Sequence, residues 1–507
     1  MALRRMTSDR RTAAARLPAV ARAKRRGKPS SHSAGHRLRL VTGAVPVYAF
    51  SALFLALMPA VARESRVLLL IPAVVLFGVG WESSDHRGLS LLIFLTGLPL
   101  YLTLGGSDLG VAGTFLIIVA YMVSLAQGRL SWTPALAAPL ALLLVIYTFD
   151  TAGLFGTGLF FSSARLLLGI FAGVFLAQLT YTHVSDGAPL TGLMYAFGLL
   201  LLFQALIVVL QRTGLDASIP FLDAISPRTQ ILAPAMIEGV TRASGAIGDY
   251  ELTAEWFALG IPMFLGFAAV PRQRVFSLVI IGACAVGLVG TVTRGGLVAV
   301  AAGLFVLLLL CIRGGTEETL SFAASSFATL GVAVAVALTT MPSAISDLQT
   351  RLQATSGSGG FSSFSDLALL LNRSVWLERA AQLAPTAFGH GIYRMDLLGL
   401  AGPNSLHSLW LSLWYEVGAV GTVIACALLV ITIVLSIPPY GAARRNPVGY
   451  LLQAALFAGF AAMMVSEFKI EFLRYEFTIE FALAYAGLML GHNVLLARSP
   501  SDGSNIQ

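Results

Sequence analysis

The chain has 507 residues, of which 57% are hydrophobic and only 11% charged, against roughly 25% charged in an ordinary soluble domain. Apolar runs of about 17 to 22 residues recur along it, each long enough to cross ~30 Å of hydrocarbon as a helix, which excludes a soluble multi-core enzyme. The net charge of +8 is uneven: residues 1–39 hold 12 of the 33 Lys and Arg and one acid, Asp9, so this stretch carries +11 and the remainder −3.

The basic 1–39 stretch reads as a disordered cytoplasmic tail under the positive-inside rule, with anionic membrane lipids as an added partner. No folded module accompanies it, so nucleic acid is not expected as a partner. The apolar segment that follows is longer than the core of a secretory signal and lacks a clear small-residue cleavage site, so it reads as a retained first helix. Residues 40–341 then read as a run of membrane helices, near 41–61, 66–81, 89–104, 109–126, 135–152, 159–180 and 190–211, then 252–270, 275–291, 294–312 and 319–341. Leu, Val, Ala and Gly dominate the early segments, which suits scaffold packing through small residues. A polar connection at about 211–250 interrupts the series and carries the string TRASGAIGDYELTAEW.

Residues 342–407 form the longest polar interruption. It contains the flexible TSGSGGFSSFS and then LNRSVWLERAAQLAP, whose apolar spacing suggests a short amphipathic helix lying on the bilayer as a lid. The 408–497 stretch supplies the last helices, near 408–435, 447–466 and 474–496, and 498–507 reads as a cytoplasmic tail. The fold class is therefore all-α, a polytopic bundle of about 12–14 helices with one large external loop containing short helices. An inside N-terminus places Arg129, Arg272, Arg274, Arg313, Arg444 and Arg445 in cytoplasmic turns, as charge bias requires. The 211–250 connection, the TVTRGG turn and the long loop then face outside.

Arg242, Arg294 and Arg373 come from three of these external stretches. Converging guanidinium groups suit a lipid-linked diphosphate, because they bind phosphate in a two-pronged fashion and stay charged; separately, each reads equally as an interfacial or topology-setting cation. His407 follows Pro403, Asn404 and Ser405 where the wet loop enters an apolar helix, a place from which an imidazole can meet a sugar hydroxyl, or simply end a helix. His390 lies in GHG, read as a mobile turn. Asp249 is either a partner for Arg242 and sugar hydroxyls or a helix-start acid. Trp410 and Trp414 share one face, as an interfacial belt or as a sugar-stacking surface. Cys284, Cys311 and Cys426 show no ligand spacing, so neither a disulfide framework nor a zinc site is expected.

Together, RASGAIGDYELTAEWFALGIP, TVTRGGLVAV, NRSVWLERAAQLAPTAFGHGI and NSLHSLWLSLWYEVGAVG, in that order and with a large loop before the last helices, resemble the O-antigen ligase and polysaccharide polymerase superfamily of bacterial envelope glycosyltransferases. The resemblance covers about 240–435. It implies a plasma-membrane enzyme with its site outside the cytoplasm, acting without metal or other cofactor. The enzyme would move a glycan from a polyprenyl-pyrophosphate carrier to a sugar hydroxyl acceptor, as a ligase or a polymerase. By the same resemblance Arg242 and Arg294 contact pyrophosphate, Arg373 lines the loop side, and His407 assists the acceptor hydroxyl. Asn404, Ser408, His390 and Trp410 complete the expected substrate contacts, although the family often has Asn where Ser408 stands. The rival reading is a transporter or flippase of lipid-linked sugars, which would use the same arginines without bond chemistry; no internal repeat of the transporter kind is visible.

Overall fold

A computed structural model describes residues 85–97, 109–131, 134–215, 235–237, 240–356, 386–392, 408–468 and 472–498. The expected helices at 41–61 and 66–81, the amphipathic LNRSVWLERAAQLAP segment, Arg373, Asn404 and His407 lie outside the described residues. Within them the chain forms α1 (Asp85–Gly97), α2 (Leu109–Ala126), α3 (Pro134–Gly153), α4 (Phe160–Ser185) and α5 (Thr191–Thr213). A small antiparallel hairpin follows, β1 (Ala235–Ile237) and β2 (Val240–Arg242), with Met236 opposite Thr241. Then come α6 (Tyr250–Ala268), α7 (Arg274–Thr291), α8 (Arg294–Gly314), α9 (Glu317–Thr340) and α10 (Pro342–Ser356). The last elements are α11 (Leu409–Glu416), α12 (Gly418–Ser436), α13 (Pro447–Ser466) and α14 (Glu476–Arg498).

Nine helices among the described residues are long and apolar enough to cross a membrane. Those at the margin keep large apolar side chains outward: Phe161 is 82% exposed on α4 and Val423 67% on α12. In water such faces would be aggregation sites; against lipid tails they cost nothing. The all-α polytopic bundle is therefore the observed fold. At its centre stands α6, buried without interruption from Leu252 to Phe267 and packed by α5, α7, α8 and α13. A helix apolar on every side belongs in the interior.

The tightest pairing joins α4 to α14. A Cβ on Gly487 would stand 2.2 Å from the Ala177 carbonyl oxygen, so only glycine permits this approach. Arg165 of α4 pairs with Glu476 at the start of α14 and fixes the register of the two helices.

Two ends of the bundle differ in chemistry. At one, Ser131 binds Thr182, Arg498 reaches the Ser185 carbonyl, Asn493 donates to the Leu435 carbonyl, and Tyr450 donates to the Leu310 carbonyl. These bonds gather the ends of α2, α4, α8, α12 and α14, where Arg129, Arg313, Arg444, Arg445 and Arg498 are found. The opposite end collects the other termini, including the end of α5, the starts of α6 and α8, the end of α13, and α11.

One local expectation is corrected, and one further helix is found. The 408–435 helix is not continuous: Gly418 has φ +69, and the chain breaks into α11 and α12 there. Within 342–407, the described helix is Pro342–Ser356, immediately after α9, ahead of the segment whose spacing suggested one.

Candidate active site

The RASGAIGD loop is suspended from the last turns of α5. Gln204 and Gln211 are seven residues apart, two helical turns, and so share a face. The Gln211 side chain accepts from the Gly245 amide at 2.9 Å and donates to its carbonyl at 3.2 Å, and Gln204 accepts from the Ala246 amide at 2.9 Å. Thr253 ties the loop to α6 by donating to the Ser244 carbonyl at 2.6 Å. Gly245 has φ +61, and a Cβ there would meet the Gln204 side-chain oxygen at 2.7 Å, so the position admits only glycine. Asp249 caps α6, accepting from the Glu251 and Leu252 amides at 2.8 and 3.2 Å. Its helix-start reading is thus realised.

These ties fix Arg242 at the end of β2. The residue is 2% exposed, and its guanidinium carbon lies 3.9 Å from the centroid of the Tyr250 ring. Its Nε and Nη2 groups are buried with no hydrogen-bond partner among the described residues. Each buried donor left unmet costs roughly 1–3 kcal/mol, more when charged, whereas the cation–π contact returns only ~0.5–2 kcal/mol. Among the described residues, therefore, this cation is held at a net expense.

Arg212, which the sequence reading passed over, braces the same strand. It donates to the Thr241 carbonyl, pairs with Asp347 of α10 at 2.9 Å, and reaches the Ser343 hydroxyl at 3.4 Å. A cation at the end of an apolar helix looks like a boundary residue in sequence; only the fold shows its three partners.

The TVTRGG turn packs beside Arg242. The Ala243 amide donates to the Gly290 carbonyl at 3.5 Å, and the Thr293 hydroxyl to the Tyr250 carbonyl at 3.4 Å. Tyr250 thus touches both stretches, its ring beneath Arg242 and its carbonyl on the residue before Arg294. Arg294 is the first residue of α8 and half-buried. Val292 turns the corner at φ +52, a left-handed conformation that a β-branched residue rarely adopts. Such strain is sustained where a side chain must be aimed, and here it directs the chain into Arg294.

On the other flank, Glu467 at the end of α13 joins three elements. Its carbonyl accepts from the Leu409 amide at 3.0 Å and the Ser408 hydroxyl at 3.5 Å. Its carboxyl lies beside that of Glu255 on α6, and its Oε2 accepts from the Phe472 amide at 3.3 Å. The start of α11, immediately after His407, is thereby fastened to the end of α13, the helix that packs along α6.

His390 is not in a mobile turn. Its amide donates to the Tyr415 carbonyl at 2.9 Å, the Gly391 amide to the Glu416 carbonyl at 3.0 Å, and its ring lies 4.8 Å from that of Tyr415. Gly389 and Gly418 let the two backbones meet: a Cβ on Gly389 would fall 2.0 Å from the Glu416 carbonyl oxygen. Gly389→Val should accordingly lower folding stability by about 3 kcal/mol or more, read as a drop in the thermal midpoint of detergent-purified protein; an unchanged midpoint would mean this docking is dispensable. Trp410 packs on Phe468 with ring centroids 5.9 Å apart and leaves its indole N–H buried without a partner among the described residues, while Trp414 is 40% exposed.

Arg242, Arg294, Asp249, Ser408, His390 and Trp410 thus share the end of the bundle opposite the basic turns. The family model described as O-antigen ligase matches residues 276–426. The chain resembles the O-antigen ligase and polymerase superfamily. The match runs from α7 into α12 and spans Arg294, Arg373, His390 and His407; Arg242, Glu255 and Glu467 lie beyond it. No curated protein matches the chain. The family supports a glycosyl-transferring enzyme of O-antigen ligase type, and with the apolar helices it indicates an integral membrane protein.

Proposed function

We propose that the protein transfers a glycan from a polyprenyl-pyrophosphate carrier to a sugar hydroxyl, at a site on the outer side of the bacterial plasma membrane. The observation that carries this reading is Arg242: a buried guanidinium with two N–H groups unmet among the described residues, braced on Tyr250, whose carbonyl meets the turn that leads into Arg294. Two guanidinium groups offer the charge-assisted, forked contacts that a diphosphate takes. At 2% exposure Arg242 is reached only when the site end opens locally, so carrier entry is coupled to a conformational step.

In the reaction the acceptor oxygen forms a bond to the anomeric carbon as the bond from that carbon to the diphosphate oxygen breaks. The electron pair leaves with the polyprenyl diphosphate, and Arg242 and Arg294 stabilise the charge that develops there. His407 takes the hydroxyl proton, with Arg373 on the loop side and Asn404 and Ser408 beside the acceptor. A single displacement inverts the anomeric configuration.

Arg294→Lys tests the reading. A point charge does not reproduce a two-pronged contact, so transfer by protein reconstituted in vesicles with carrier-linked glycan should fall about tenfold or more. Wild-type turnover in the Lys variant would show that charge alone suffices. Flipping of the carrier across the same vesicles with no new glycosidic bond would establish the transporter reading instead.

A further inference from the structure

We propose that Arg212 and Asp347 are positioning residues of this reaction: together they dock α10 across the stretches that carry Arg242 and Arg294, and so set the aim of Arg242 relative to Arg294. The proposal rests on the transferase reading above.

The helix α10 begins directly after Met341. Ala344 in its first turn is fully buried and joins Met341, Val240 and Val292 in one apolar cluster, with Leu348, one turn further on, packed against it. Val240 stands two residues before Arg242 on β2, and Val292 two residues before Arg294. One helix therefore touches both arginine-bearing stretches, which come from distant parts of the chain. Residues two apart on a strand share a face, so a shift of Val240 carries Arg242 with it.

That apolar contact is incomplete. A cavity of about 230 Å³ opens beside the joint between α9 and α10, lined by Val209, Val286, Met341 and Arg212 among others. Walls without partner atoms forfeit dispersion attraction, which leaves the docking of α10 to a polar tie. Arg212 at the end of α5 supplies it. Its side chain is 4% exposed, and its two terminal nitrogens serve different elements. The Nη1 group donates to the carbonyl of Thr241, the residue before Arg242, while Nη2 pairs with Asp347 at 2.9 Å and reaches the Ser343 hydroxyl at 3.4 Å. Because a guanidinium is planar and rigid, this one cation fixes the distance between α10 and β2. Asp347 is 25% exposed, so water can solvate its carboxylate when the cation is removed. Loss of Arg212 therefore loosens α10 without stranding a fully buried charge.

Binding of farnesyl diphosphate to the full-length protein in lipid nanodiscs, measured by calorimetry, tests this through a cycle of two substitutions. Arg212→Met should weaken binding about tenfold in the otherwise wild-type chain, because Arg242 is no longer preorganised. In the Arg242→Met background the same change should weaken binding by less than about twofold, since a residue that acts through Arg242 has nothing left to aim. A thermal midpoint is read for each variant, and Asp347→Ala replaces Arg212→Met in the cycle where the latter fails to fold. Equal losses in both backgrounds overturn the proposal, because Arg212 would then act on the ligand or the fold independently of Arg242. Wild-type affinity in Arg212→Met overturns it too. Absence of binding by the wild-type protein would sink the diphosphate reading and the positioning role with it, whereas binding that Arg242→Met weakens and Arg212→Met does not sinks the positioning role alone.

Discussion

Arg242→Met should abolish glycan transfer while leaving the fold as stable as before, or more so. Methionine approximates the length of the arginine stem and fills the same space, but brings no buried donors to satisfy. The Nε and Nη2 groups of Arg242, unmet among the described residues, are a cost in the resting protein, and replacing a buried charge by an apolar side chain of similar volume is often neutral or stabilising. Loss of a preorganised donor aimed at developing charge typically costs about 10²–10³ in rate. The measurement pairs initial transfer rates with thermal midpoints of the purified protein. A lowered midpoint with full transfer would assign Arg242 to structure alone.

His407→Ala should reduce transfer by about 10²–10⁴, the usual contribution of a positioned general base. Donor binding should be spared, because the diphosphate contacts are assigned to the arginines on the other flank. The neighbouring Ser408 and Leu409 are bonded to the Glu467 carbonyl, and so the chain leaving His407 enters the end of the bundle that holds Arg242 and Arg294. Among the described residues, the anchors of α11 are Leu409 and Leu413, in the cluster with Ile392 and Val417. Initial rates at saturating and limiting carrier separate the two effects. A variant that keeps kcat but loses carrier affinity would move His407 to the donor side.

The membrane architecture was legible because it depends on run length and polarity, which a single sequence displays directly. The ends of α2, α3, α4, α5, α7, α8 and α9 fall within a few residues of the apolar runs that announced them. What escaped depends on single backbone torsions or on distant partners. The break at Gly418 sits inside an apolar stretch, where an isolated glycine after Glu416 and Val417 was the available sign. The β1–β2 hairpin is too short for an alternating pattern to register. Arg242 and Arg294 are visible as cations beside small residues, but the stretches that carry them are joined by Tyr250 and Thr293, through a contact spanning 43 positions. Gln204 and Gln211 read as isolated amides on an apolar helix; a polar group within a membrane segment is itself a pointer to function, and here they carry the loop that presents Arg242. Glu467 was seen only as part of a linker, because its neighbours Glu255 and Ser408 lie far away in sequence.

The central claim is that a carrier diphosphate is held by Arg242 and Arg294 together. The direct measurement is a structure of the full-length protein in lipid with a polyprenyl diphosphate bound. The account predicts that the diphosphate oxygens lie within hydrogen-bond distance of both guanidinium groups, with Arg242 still stacked on Tyr250. A diphosphate bound at the basic end near Arg313 and Arg444, or one that touches neither Arg242 nor Arg294, would contradict it.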